Sequence, residues 1–354
     1  MMPADKKTKE KLLAGLTVFL LFLAVGSLLF YISRKNMART DALRQQVIKQ
    51  KTIQENKRKL EKIYLKNQSA LDGVNYASPA TAVVDGPAIN GQAFLTLALT
   101  ADGTQKVLTA KNPDLALPIA SITKLMVAAV IAENVDLETA VTVTADYIGL
   151  PESALVLELG RTYRVKDLLA NALIASDNDS ARLLASTLGE NNFLARMNQL
   201  AETLGMTQTN FVNVTGLDTA DAGRLSPLNG VPNRSESRPA SAVNVSTVSD
   251  LAKLLLYLRD RQPALLALTT KANYNFCDIY AYCRPVMSTN KLLENKEFGY
   301  KIIGGKTGST ALAQKNLALL FTLSPDIDVL NIVLGSPDNF SDTLTLISQI
   351  KVKN

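Results

Sequence analysis

The 354-residue chain contains no histidine and only two cysteines. The missing imidazole excludes Ser-His-Asp and Cys-His catalysis, and it excludes zinc hydrolases built on a His-x-x-x-His spacing. A nucleophile in this chain needs another base. With no histidine and no third cysteine, a metal site is not expected, and nothing in the sequence asks for a cofactor. Cys277 and Cys283 lie close together. A small-loop disulfide and two unpaired thiols are both compatible with that spacing.

A basic surplus is also missing from the part of the chain that reads as folded. The net charge is +6, but residues 1–68 hold 15 Lys+Arg against 5 Asp+Glu. Beyond them stand 23 basic and 27 acidic residues, out of totals of 38 and 32. Nucleic-acid binders concentrate positive charge on a folded face, so no nucleic-acid partner is expected.

One long apolar run is present. Leu12 to Ile32 carries no charge and is long enough to span a bilayer, which takes about 20 residues. A cleaved signal peptide is the rival reading. It would have a shorter apolar core and an Ala-x-Ala-like site, whereas Tyr31, Ser33, Arg34 and Lys35 follow this run. The expected organisation is a cytoplasmic tail at 1–11, a single membrane anchor at 12–32, a helical stalk and linker at 33–90, and a catalytic domain at 91–354. Lys6, Lys7, Lys9 and Lys11 before the span are nearly balanced by Arg34, Lys35, Arg39 and Arg44 after it, so charge alone does not orient it. The Ser-, Pro- and Asn-rich stretch 222–246 reads as a long surface insertion.

From residue 91 the texture is that of a packed domain. Ala93–Leu99 and Lys106–Thr109 read as strands joined by a turn at Ala101-Asp-Gly103. Leu125–Ile131 reads as a helix with Ser121 at its start. Lys124, three residues on, then faces the same side as Ser121. Leu168–Ala175 reads as a helix delivering Ser176-Asp177-Asn178 at its end. Lys301–Thr310 reads as strand and turn, with glycines that allow a substrate backbone to approach. Asn316–Thr322 and Asp328–Leu334 read as strands, and Thr343–Ile350 as a closing helix. Helices between an early strand pair and a late strand group imply a sheet with helices on its faces and an all-helical insertion.

Three motifs stand in order: Ser121-Ile-Thr-Lys124, Ser176-Asp-Asn178 and Lys306-Thr-Gly308. Each alone is common, and for an isolated one a capped helix or turn is the ordinary explanation. The ordered set is the signature shared by penicillin-binding proteins and serine β-lactamases. Leu117–Met126, Ser176–Ala181, Leu204–Asn213, Thr215-Gly-Leu217 and Ser288-Thr-Asn290 extend the likeness. Over roughly residues 90–350 the chain resembles the D-alanyl-D-alanine carboxypeptidases, the low-molecular-mass penicillin-binding proteins.

The resemblance implies an α/β (α+β) fold, with a five-stranded antiparallel sheet flanked by helices and an all-helical lobe. It implies a serine-type D-Ala-D-Ala carboxypeptidase acting on peptidoglycan stem peptides, with β-lactam antibiotics as covalent inhibitors. Ser121 would be the nucleophile and Lys124 its base. Ser176, Asn178 and Lys306 would complete the catalytic set, and the backbone N–H groups of Ser121 and Ser309 would form the oxyanion hole. Thr307, Gly308 and Ser309 would bind substrate. A substrate outside the cell breaks the tie in orientation and places the domain beyond a bacterial cell membrane. One departure matters: the segment Gly335–Asp342 holds no arginine to receive a terminal carboxylate, and none follows Arg284. That opens the alternative of a DD-endopeptidase that cuts cross-links. A class A β-lactamase is disfavoured because Leu225 stands where its deacylating glutamate is expected. A non-catalytic cell-wall-binding protein would not need all three motifs.

Overall fold

The computed structural model describes residues 26–27, 34–35, 51, 74–76, 89–100, 104–151, 153, 156–218 and 243–352. The chain divides into two units, Met1–Lys66 and Asn67–Asn354. In the first, the few described residues are helical. Among the described residues no helix is long and apolar enough to cross a membrane. The expected anchor at 12–32 lies outside them, apart from Gly26 and Ser27.

The second unit begins with strand β1 (Val74–Tyr76), followed by β2 (Ala93–Thr100), β3 (Gln105–Lys111) and the two-residue β4 (Leu117–Pro118). A 3-10 turn at Ala120–Ile122 then runs into helix α1 (Thr123–Asn134). Strands β5 (Ala140–Thr142) and β6 (Thr162–Arg164) pair with each other. Helices α2 (Val165–Ile174), α3 (Asn178–Ser186) and α4 (Glu190–Thr203) pack on α1 to form a helical lobe. The chain continues through β7 (Val245–Ser246), α5 (Val248–Arg261), α6 (Pro263–Leu268) and a hairpin of β8 (Asn273–Cys277) and β9 (Cys283–Met287). It closes with β10 (Lys301–Thr310), β11 (Gln314–Ser324), β12 (Ile327–Ser336), α7 (Asn339–Ser348) and β13 (Ile350–Val352).

Five strands form the central antiparallel sheet in the order β10-β11-β12-β2-β3. Its residues alternate between two cores, as the period of two in a strand requires. Ala318 and Leu320 face the large core shared with the helical lobe, whereas Leu317, Leu319 and Phe321 face a second core with Ile347 and Ile350. Burial on both faces explains why β11 reads as a continuous apolar run. Helix α1 is apolar nearly all round because it is surrounded: every residue from Thr123 to Ile131 is buried. Burying each of its larger aliphatic side chains contributes about 1.5–3 kcal/mol, enough to hold one lysine, Lys124, inside the same helix.

The structure differs from the sequence reading in several places. Val74–Tyr76, expected within a flexible linker, pair with β13. The closing helix ends at Ser348, and Ile350 opens that strand instead. Neither three-residue strand carries a pattern long enough to show alone; each exists because the other satisfies its backbone groups. The expected insertion at 222–246 falls mostly outside the described residues, but Val243, Asn244 and Ser246 are buried. The Ala101–Gly103 turn is also outside them, although Thr100 N–H donates to the Thr104 carbonyl (3.0 Å) and closes that hairpin. Lys306-Thr-Gly308 lies within a ten-residue strand rather than at a turn. Cys277 and Cys283 are joined as a disulfide, opposite each other in the β8–β9 ladder.

Candidate active site

Two turns meet at the edge of β10. The first is the turn before α1, where Ala120 takes a left-handed φ of 48°. Such a backbone costs energy in a non-glycine residue and persists only when its surroundings fix it. Here the surroundings are tight. A Cβ on Gly216 would lie 2.0 Å from the Ala120 carbonyl oxygen, and one on Gly308 would lie 2.6 Å from that of Ile119. Both positions therefore require glycine. The sequence reading had given the β10 glycines to an approaching substrate; at Gly308 the close neighbour is the turn that carries Ser121.

Helix geometry brings Lys124 back to Ser121, and Lys124 Nζ donates to Ser121 Oγ at 2.8 Å. The same amine donates to Asn178 Oδ1 (2.7 Å) and to the Thr215 carbonyl (2.8 Å). Asn178 Nδ2 in turn donates to the Pro151 carbonyl (2.8 Å), which fixes the amide orientation. Two of the three partners are thus pure acceptors. When Lys124 gives up a proton, the partner able to donate back to its lone pair is the Ser121 hydroxyl. The arrangement aims a buried amine at a serine proton.

The second segment is the turn between α2 and α3, which carries Ser176 at a φ of 62°. Asp177 caps α3 by accepting from Ser180 N–H (2.7 Å), and Asn171 Nδ2 donates to Ser180 Oγ (2.8 Å). Within β10, Lys306 is fully buried, and its Nζ donates to Ser176 Oγ at 2.8 Å and to the Thr307 carbonyl at 3.1 Å. Burial, then the nearby Lys124 charge, holds the Lys306 amine well below the usual lysine range.

A cleft of about 280 Å³ joins these groups. Ser121, Ser176, Thr289, Thr307–Ser309, Lys315, Asn339 and Phe340 are among the residues that line it. Thr289 and Thr307 share a hydrogen bond of 2.5 Å between their hydroxyls. All eight expected site residues are therefore gathered: Ser121, Ser176, Thr307, Gly308 and Ser309 on the cleft wall, with Lys124, Asn178 and Lys306 buried at its base.

Sequence reasoning missed the support beneath them. Asn244 Oδ1 accepts from Val212 and Asn213 N–H (2.7 and 3.0 Å), while its Nδ2 donates to Thr123 Oγ1 and the Asn213 carbonyl (both 2.9 Å). Asn213 Oδ1 then accepts from Thr215 N–H (3.1 Å) and Gly216 N–H (2.7 Å), setting the carbonyl that holds Lys124. Asn244 lay in a stretch whose composition signalled a surface loop. Thr215-Gly-Leu217 carried the one available hint.

Residues 82–338 match the family described as D-alanyl-D-alanine carboxypeptidase, over more than half of the chain. The chain belongs to this family. A D-alanyl-D-alanine endopeptidase of Pseudomonas aeruginosa is 32% identical over 258 residues, covering 70% of this chain and 74% of the relative. A D-alanyl-D-alanine carboxypeptidase, DacA, of Haemophilus influenzae is 27% identical over 267 residues, covering 72% and 59%. Among solved structures, penicillin-binding protein D2 of Listeria monocytogenes in its ampicillin-bound form superimposes with a TM-score of 0.58 at 26% identity, covering 75% of this chain and 98% of that one. As a member of the D-alanyl-D-alanine carboxypeptidase family the chain is a serine DD-peptidase, a hydrolase with a penicillin-binding fold.

Proposed function

We propose that this serine DD-peptidase is a DD-endopeptidase that opens D-alanyl cross-links in peptidoglycan. The observation that carries the chemistry is the 2.8 Å contact from Lys124 Nζ to Ser121 Oγ inside a histidine-free site. Ser121 Oγ attacks the D-alanyl carbonyl as its proton passes to Lys124. The backbone N–H groups of Ser121 and Ser309 receive the developing oxyanion, each such donor contributing about 3–4 kcal/mol. Collapse of the tetrahedral species expels the amine, which takes a proton through Ser176 and Lys306. The depressed proton affinity of Lys306 suits it to that transfer. Thr307 on the cleft wall meets the peptide, Asn178 positions Lys124, and water then hydrolyses the acyl-serine.

The cross-link reading draws on the Pseudomonas endopeptidase and on a second endopeptidase, from Escherichia coli, 30% identical over 252 residues. It also fits the absence of arginine after Arg284. Release of a terminal D-alanine is the second reading, favoured by the family's own description. Both proceed through the same acyl-enzyme. Residues 12–32 are read as a single-pass anchor that keeps the domain outside the cytoplasm, where its substrate lies.

Mass analysis of a defined cross-linked muropeptide after digestion separates the readings. The expected product is the uncrosslinked monomer. Loss of a single D-alanine with the cross-link intact would overturn the endopeptidase assignment and leave the serine chemistry standing. Labelled penicillin checks that chemistry: it modifies the wild-type chain, and the label disappears in Ser121→Ala.

A further inference from the structure

One buried carboxylate beside the site has no role in the chemistry derived so far. Asp179, in the first turn of α3, is only 2% exposed, and Arg182, one turn on, pairs with Glu190 instead. A charge in such a place is costly unless hydrogen bonds satisfy it. The positive end of α3 and two backbone donors do so. Asp179 Oδ2 accepts from Gly149 N–H (3.0 Å), and its Oδ1 accepts from Leu150 N–H (2.9 Å). The Asp179 N–H returns a bond to Ser153 Oγ (3.1 Å). Three hydrogen bonds thus clamp one short stretch of chain to the start of α3.

The carbonyl inside that clamp is the one that matters. Pro151 lies between Leu150 and Ser153, and its oxygen accepts from Asn178 Nδ2 at 2.8 Å. Proline has no N–H, so this residue offers Asn178 an acceptor alone. The two ends of an asparagine amide are nearly the same size, so shape does not choose between them. Facing a pure acceptor, the amide turns its nitrogen to Pro151, which leaves its oxygen for Lys124 Nζ (2.7 Å). A flipped amide would set donor against donor at Lys124 and remove one of the three acceptors described for that amine. Pro151 makes the choice, and Asp179 holds Pro151 in place.

We infer that Asp179 is a positioning residue for acylation. By pinning Gly149 and Leu150 it keeps the Pro151 carbonyl on Asn178, and so keeps the Asn178 oxygen on Lys124. Asp179 does not line the cleft; it acts through Asn178. The inference rests on the serine mechanism proposed above.

The test follows penicillin acylation of the full chain by intact mass. A range of penicillin concentrations separates the limiting rate from the half-saturating concentration. Asp179→Asn keeps the size of the side chain but turns a donor toward one of the two backbone N–H groups. Its limiting rate should fall about 10- to 100-fold, while the half-saturating concentration stays within about 2-fold of wild type. In an Asn178→Ala background the same substitution should cost less than about 2-fold, because the residue it acts through is gone. An unchanged limiting rate in Asp179→Asn would overturn the inference. So would a loss that repeats in full in the Asn178→Ala background, which is the result for a general prop of the fold. Thermal unfolding of each variant shows whether it is folded. Should Asp179→Asn not fold, Ser153→Ala removes the acceptor of the Asp179 N–H and carries the same comparison, with an expected fall of about 2- to 10-fold. Failure of the wild type to take labelled penicillin would instead overturn the serine mechanism.

Discussion

A fully buried lysine is costly unless something depends on it, and Lys306 spends its amine on Ser176 and a neighbouring carbonyl. Its folded proton affinity is lowered by burial and then by Lys124, so the folded state binds fewer protons than the unfolded state between that depressed value and about 10.4. Across that window wild-type stability rises with pH. Lys306→Met should lack this rise, so its stability relative to wild type should be greatest at low pH and shrink as pH increases. Urea unfolding of both proteins from pH 6 to 9 checks it; parallel curves would contradict the burial argument. At this scale the sequence was readable wherever a motif names the atom: Ser121, Lys124, Ser176, Asn178 and Lys306 were all legible. Asn244 and Lys315 were not. Nothing in an asparagine inside a Ser/Pro-rich stretch, or a lysine at a strand start, distinguishes a buried clamp or a cleft wall from a solvated side chain.

Elements place these atoms by close approach. Strand β10 lies at the edge of the sheet and presses against the turn before α1, and glycine is what lets it do so. In Gly308→Ala the new methyl would meet the Ile119 carbonyl, and the turn carrying Ser121 would have to move. Overpacking of this sort costs about 1–3 kcal/mol. Penicillin acylation should fall at least about 10-fold, since small misplacements of reacting groups cost about that much or more. A melting curve that stays cooperative, alongside the acylation rate, is the measurement; normal acylation would show that the turn yields freely. The long elements were legible because period and length agree, as in α1 and the core strands β2, β11 and β12. The lysine motif was misread as partly turn because its glycines signal breaks, while the ladder with β11 continues through all of them from Gly304 to Thr310.

At the scale of the whole molecule, the sequence revealed an apolar run, a polar stretch and a catalytic domain, but set the domain's start at residue 91. Upstream of that start, Val74–Tyr76 are described, and they pair as β1 with β13. That junction was invisible because three residues with a partner nearly 280 positions away leave no local pattern. With residues 12–32 as the proposed anchor, the full chain should sediment with membranes, and a chain beginning at residue 67 should not, while keeping its acylation rate. One beginning at 91 should melt at a lower temperature, having lost both β1 and the Asn90 N–H contact to Asp342. Equal melting points would show that the pairing adds nothing to stability.

The clasp of Val74–Tyr76 on Ile350–Val352 also has a mechanical side. Any pull along the polypeptide from its amino-terminal end meets three residue pairs before it meets the eight-residue ladder of β2 on β12. With three pairs against eight, the short ladder is expected to part first under such a pull.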